Sequence, residues 1–135
     1  MNDPRYAKLG VLVVDDSPVV RAMVSRMLEQ MGFARVGTAD DGEAALAHVT
    51  SADPAPNLIV CDIGMKPMDG MSFVAALRAL PEMRLARLPV VFLTATATSE
   101  LVRRAKELAA NGYIVKPVTP EALALRVERA LFGGD

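Results

Sequence analysis

The sequence predicts an α/β fold, a doubly wound sheet of five parallel strands with helices on both faces. Three observations carry this. Short β-branched runs alternate with longer helical segments along the 135 residues. The first run, Leu9 to Val14, is apolar on both faces, as a central parallel strand requires. Four of the five runs lead at once into an acid, a hydroxyl or a lysine: Asp15-Asp16, Asp62, Thr94 and Lys116.

Bulk properties bound the class. A content of 52% hydrophobic and 23% charged residues is globular, and the length suits one domain over residues 1–135 with a core from about 9 to 131. The formal net charge of -1 gives no basic footprint, which argues against direct nucleic-acid binding. The single Cys61 excludes an internal disulfide and suits a reducing cytosol. The first eight residues are polar, without the apolar centre of a signal peptide. No apolar run reaches the roughly 20 residues that span a bilayer. The expectation is a cytoplasmic protein with no membrane insertion.

The elements follow in order. After strand one, Ser17-Pro18 pairs an N-cap with a proline at the first helical position, and the helix runs to about Met31, where Gly32 stops it. Val20, Met23, Val24, Met27, Leu28 and Met31 fall at helical spacing and predict a core face. Arg35–Ala39 is a short second strand. Asp40-Asp41-Gly42-Glu43 opens helix two, whose acidic first turn suits the helix dipole. His48 on this helix has no second His or Cys at ligand spacing and predicts a bystander. Ser51 to Asn57 holds two prolines and reads as loop. Strand three ends at Asp62, with Cys61 before it as a packing residue. Helix three runs from about Met71 to Leu80, and Pro81–Pro89 is a longer loop with Arg84 and Arg87 in a solvated turn. Val90–Leu93 is strand four. Ser99-Glu100 starts helix four, which is expected to reach Asn111-Gly112. Tyr113–Val115 is strand five, and Thr119-Pro120-Glu121 caps helix five, whose inner face is Leu123, Val127, Ala130 and Leu131.

In such a sheet every strand opens its carboxyl end on one edge, where α/β proteins place their chemistry. Asp15, Asp16, Asp62, Thr94 and Lys116 therefore converge. Three neighbouring carboxylates repel, and a divalent cation resolves this; an all-oxygen set suits Mg²⁺ better than Zn²⁺. A carboxylate can act as a nucleophile toward phosphorus, and phosphoryl transfer asks mainly for positioning and charge stabilisation. Asp62 is the candidate phosphoacceptor, with the Lys116 ammonium and the Thr94 hydroxyl as donors to phosphoryl oxygens. Each of these residues alone has a plain reading as a loop acid, a turn residue or a solvated charge. Together they predict a site.

Four stretches carry a resemblance: Val13-Val14-Asp15-Asp16-Ser17, Asp62-Ile63-Gly64-Met65-Lys66-Pro67-Met68-Asp69-Gly70, Phe92-Leu93-Thr94-Ala95 and Tyr113-Ile114-Val115-Lys116-Pro117. In this order and spacing the chain resembles the receiver domain of bacterial two-component response regulators, from Leu9 to Leu131. The resemblance implies the flavodoxin-like (βα)5 strand order 2-1-3-4-5, of which a receiver is a known example. It implies Asp62 as phosphoacceptor and Asp16 and Asp62 as direct Mg²⁺ ligands. Asp15 would act largely through water, and the Gly64 backbone carbonyl would be a further ligand. It also implies Thr94 and Lys116 on the phosphoryl group, a cis Lys116-Pro117 bond, and Tyr113 as the aromatic that turns inward when Thr94 moves. The face of helix four, strand five and helix five would then meet a downstream protein target. The phosphodonor would be a sensor histidine kinase or a histidine phosphotransfer protein.

Two departures stand out. The family has Pro directly after the Met matching Met65; here Lys66 intervenes before Pro67 and adds a positive charge near the incoming phosphate. The Gly four residues before the switch aromatic is Ala109. Gly64 and Thr96 stand where the family tunes hydrolysis of the acyl phosphate, and a bare Gly64 implies fairly fast loss.

The resulting reading is a stand-alone, chemotaxis-receiver-like phosphoacceptor rather than an enzyme, acting as a monomer or a phosphorylation-dependent dimer. Its alternatives are a receiver fragment of a larger regulator or hybrid kinase, and a degenerate receiver independent of phosphate. A flavin or nucleotide domain would need a Gly- or Ser/Thr-rich phosphate loop after strand one, where Asp15-Asp16-Ser17-Pro18 is acidic. An aspartyl phosphatase would need Asp-x-Asp spacing there.

Overall fold

The computed structural model describes residues 2–64 and 68–133. The expectation about Lys66-Pro67 therefore lies outside the described residues. Five parallel strands form one sheet in the order β2-β1-β3-β4-β5, namely Arg35–Ala39, Gly10–Val14, Leu58–Asp62, Val90–Thr94 and Gly112–Val115. The helices are α1 (Pro18–Met31), α2 (Gly42–Ser51), α3 (Gly70–Arg78), α4 (Met83–Ala86), α5 (Ser99–Glu107) and α6 (Pro120–Phe132).

Strand chemistry explains strand position. β1, β3 and β4 are buried at all five residues, and their continuous apolar runs occupy the centre. β2 carries Arg35 and Thr38 and lies at one edge. β5 is the other edge and leaves Val115 44% exposed.

The core has two layers. Leu12, Ile59, Cys61 and Phe92 pack beneath α2, α3, α4 and α5 through Ala45, Val49, Phe73, Leu77, Leu85 and Ala105. Val11, Val13, Val60 and Leu93 pack beneath α1 and α6 through Val24, Leu28, Leu123 and Val127.

Local chemistry sets the helix starts. Ser17, Asp41, Asp69, Thr98 and Thr119 each accept a backbone N–H of the first turn that would otherwise lack a partner. Gly32 ends α1 with φ 112°, in the left-handed region.

The structure departs from sequence expectation in four places. The Pro81–Pro89 loop contains the one-turn helix α4, because Leu85, Ala86 and Leu88 find core to bury in while Arg84 and Arg87 stay exposed. The helix from Ser99 ends at Glu107 rather than Asn111, since Ala109 adopts φ 57° and turns the chain. Met23 faces outward at 38% exposure, although the rest of its stripe packs inward. The packed chain also begins before Leu9. A 3-10 turn at Pro4–Tyr6 buries Tyr6, which stacks on Phe33 (centroids 4.6 Å apart) and Phe132 (5.6 Å), while Arg5 pairs with Asp3 and Glu128. Polar composition hid this single aromatic anchor.

Candidate phosphoacceptor site

Four strand ends build the site at the carboxyl edge of the sheet. Asp15 and Asp16 follow β1, Asp62 ends β3, Thr94 ends β4 and Lys116 follows β5. The Lys116 amide donates to the Thr94 carbonyl at 2.8 Å, so the ladder continues one residue past β5 and carries the lysine inward. The Lys116-Pro117 bond is cis, as is Asp53-Pro54.

Asp15, Asp16 and Asp62 each offer one carboxylate oxygen to a common space, with those oxygens within 4.8 Å of one another. Lys116 Nζ lies 3.0 Å from Asp62 Oδ1 and 3.5 Å from Asp15 Oδ2. Asp15 is fully buried; its Oδ1 accepts the Ser17 amide at 2.9 Å. Its Oδ2 accepts no hydrogen bond among the described residues, so the 3.5 Å approach of Lys116 is an electrostatic contact rather than an aligned bond. Burial pushes the Asp15 carboxyl up, and the Asp62 charge adds to this, against the Ser17 amide and Lys116. Burial by itself would lower the Lys116 ammonium, but the hydrogen bond to Asp62 and the charges of both acids outweigh it, and the net shift is upward.

An all-oxygen trio, one of whose buried carboxylate oxygens accepts no hydrogen bond among the described residues, fits a hard cation, whose charge would add to that of Lys116 against three carboxylates. The cluster is able to hold a metal ion. Gly64, expected to lend its carbonyl, is exposed, and a side chain there would meet nothing within 4 Å among the described residues.

Thr94 is buried, and its hydroxyl donates to the Thr96 carbonyl at 2.8 Å. Tyr113 is half-buried on edge strand β5 and packs against the layer that holds Phe92 and Ala105. Cys61 is fully buried; desolvation, with the nearby Asp62 charge, pushes its thiol well up, as suits a packing residue. His48 is half-buried in a cleft of about 240 Å³ with Gly10, Arg35 and Gly37, at the opposite edge of the sheet, and takes no part in the site.

Three supporting residues had no role assigned from the sequence, although Gly70 closes one of the stretches that carry the resemblance. Gly70 donates its amide to Ile63 O at 3.0 Å, and a Cβ there would stand 2.9 Å from Ile63 Cα. Only glycine lets α3 begin against the backbone that carries Asp62. Arg78 donates to the carbonyls of Leu108 (2.8 Å), Ala86 (2.9 Å), Leu88 (2.7 Å) and Ala109 (3.2 Å), tying α3 and α4 to the turn before β5. Helical spacing held the signal, since Arg78 follows Met71 and Val74 on the inward stripe. Arg21 Nη1 donates to the Asp15 carbonyl at 2.8 Å.

Residues 11–128 match the family described as the response regulator receiver domain. The chain is a response regulator receiver domain. The receiver is 36% identical to a protein named probable chemotaxis protein CheY from Rhizobium etli, over 93% of this chain and 94% of that one. It is 34% identical to chemotaxis protein CheY from Pseudomonas aeruginosa, over 90% and 94%. Its structure superposes on Vibrio cholerae chemotaxis protein CheY4 with a TM-score of 0.84 at 37% identity, covering 93% of this receiver and 100% of that chain. Response regulators of this kind are phosphorylation-activated switches in two-component systems, and their receivers are signalling phosphoacceptors. No helix among the described residues is long and apolar enough to cross a membrane.

Proposed function

We propose that Asp62 of this receiver takes a phosphoryl group from a sensor histidine kinase or a histidine phosphotransfer protein. A carboxylate oxygen of Asp62 forms the new bond to phosphorus as the bond to the donor nitrogen breaks, and the donor imidazole departs with the electron pair. The observation that supports this best is the 3.0 Å contact of Lys116 Nζ with Asp62 Oδ1 beside two further carboxylates. That ammonium is placed to follow the charge from the carboxylate to a phosphoryl oxygen.

Asp15, Asp16 and Asp62, with the Gly64 carbonyl, are the residues that would hold Mg²⁺, Asp15 largely through water. The bound ion supplies neutralisation of the phosphoryl oxygens. The chain's own residues do the rest. The buried Asp15 draws Lys116 toward the pocket, and the strand end fixes Asp62 in place. The Thr94 hydroxyl exchanges its bond to Thr96 for one to a phosphoryl oxygen. Tyr113 then turns inward, and the altered face of α5, β5 and α6 meets a downstream protein.

The whole of residues 1–135 works as one receiver unit in this reading, and protein–protein contact carries the signal. Incubation with acetyl phosphate and Mg²⁺, read by intact mass, tests it. One phosphate is expected on the wild type and none on Asp62→Asn. A wild type that stays unmodified with acetyl phosphate and with a panel of phosphorylated histidine donors would instead favour a receiver that binds partners without phosphate.

A further inference from the structure

We infer that Arg21 is a positioning residue for the metal site, acting through the peptide that joins Asp15 to Asp16. This rests on the assignment of both acids to Mg²⁺ above. The carbonyl that Arg21 grips, at 2.8 Å, belongs to that joining peptide. Both carboxylates hang from it, one on each side. Holding that oxygen restrains the planar peptide unit, and so narrows the directions in which the two side chains leave the backbone.

The site needs such a grip. β1 ends at Val14, so the Asp15-Asp16 peptide lies past the last strand residue. The Asp15 amide is still anchored, donating to Ala39 O at 3.1 Å. The Asp15 side chain is anchored by the Ser17 amide. Asp16 is exposed, and its only restraint among these contacts is the peptide before it. Arg21 therefore orders the one carboxylate of the three that strand pairing leaves loose.

The sequence supplies the reach. Arg21 sits one helical turn after the N-cap, with its amide on Ser17 O at 2.9 Å. Side chains on a helix lean toward its N-terminus, so Arg21 points back over Ser17 to the end of β1. Asp40 lines the same cleft of about 280 Å³. Yet the polar contact Arg21 makes among the described residues is with the carbonyl, not with that acid. A guanidinium spent on a main-chain oxygen beside a free acid is placed to hold that oxygen.

Charge and position predict opposite results, which makes the inference testable. As a mere charge, Arg21 repels a divalent cation, and its removal would tighten Mg²⁺ binding. As a positioning residue, its removal weakens binding, because groups that orient ligands typically account for about 10- to 100-fold in metal affinity. The experiment is calorimetric titration of the phosphate-free protein with MgCl₂, for the wild type, Arg21→Lys, Arg21→Gln and Arg21→Met. Circular dichroism confirms folding, and Gln serves if Met fails to fold. The expected result is a dissociation constant about tenfold weaker for Met and Gln and within about threefold of wild type for Lys. Unchanged or tighter binding in folded Met and Gln variants overturns the inference while leaving the metal site intact. A wild type that shows no Mg²⁺ binding overturns the site assignment itself, and the inference with it.

Discussion

Lys116 Nζ stands 3.0 Å from Asp62 Oδ1, so an ammonium already offsets part of the negative charge that would attract a cation to this carboxylate. Mutation of this lysine should therefore act in opposite directions on two measurements. Lys116→Met removes a competitor for Asp62 and Asp15, and Mg²⁺ should bind a few-fold tighter by calorimetry. Phosphorylation by acetyl phosphate should slow by at least about tenfold, since the charge that would meet a phosphoryl oxygen is gone.

The same pairing sets a pH dependence. The folded Lys116 pKa is raised above 10.5, so its contribution to stability is complete below pH 10.5 and is lost as pH rises through the folded value. Chemical denaturation without metal should show a decline above that pH in the wild type. Lys116→Met should flatten it.

Metal binding should be visible as stability. A cation that binds the folded state alone adds RT ln(1 + [L]/Kd), about 1.4 kcal/mol at ten times Kd. Mg²⁺ should raise the melting temperature of the wild type. Asp16→Asn should lose most of that rise while leaving the metal-free melting temperature within a few degrees, because Asp16 is exposed.

Two glycines near Asp62 should behave differently. Gly70→Ala forces a Cβ into the backbone of Asp62 and Ile63 and should cost about 2–3 kcal/mol in urea denaturation. Gly64→Ala meets nothing within 4 Å among the described residues and should change stability by less than about 0.5 kcal/mol. Its effect should appear instead in the lifetime of the phosphorylated protein, lengthened as the added methyl shields phosphorus from water.

Arg78 and Ala109 form a second structural pair. Ala109 holds φ 57°, a left-handed conformation costing a non-glycine residue about 1–2 kcal/mol, and its carbonyl accepts from Arg78. Ala109→Gly relieves that strain but loosens the unfolded chain by about 0.4–1 kcal/mol, so stability should be unchanged or rise by about 1 kcal/mol. Arg78→Met strips the donor from four carbonyls and should lower stability by roughly 3 kcal/mol. Urea denaturation of each variant measures both.

The fold and the site were legible in the sequence for one physical reason. A parallel sheet converts strand ends that are distant in sequence into neighbours, so Asp15, Asp62, Thr94 and Lys116 could be placed from the apolar runs before them. What the sequence did not reveal depends on reach rather than pattern. Nothing in periodicity says that Arg21 bends back to Asp15 O, or that Tyr6 finds Phe33 and Phe132. The short helix at Met83–Ala86 was hidden because it is a single turn, too brief to show a period. Ala109 could be noticed as a departure from the receiver pattern, but its left-handed turn and the Arg78 contact are three-dimensional facts.

The most direct test of the central claim is to locate the phosphate. The protein is phosphorylated with acetyl phosphate and Mg²⁺, the acyl phosphate is reduced with borohydride, and the converted residue is mapped by tandem mass spectrometry of peptides. The account predicts homoserine at position 62 and at no other acid. Conversion at Asp15 or Asp16 with Asp62 intact would contradict it.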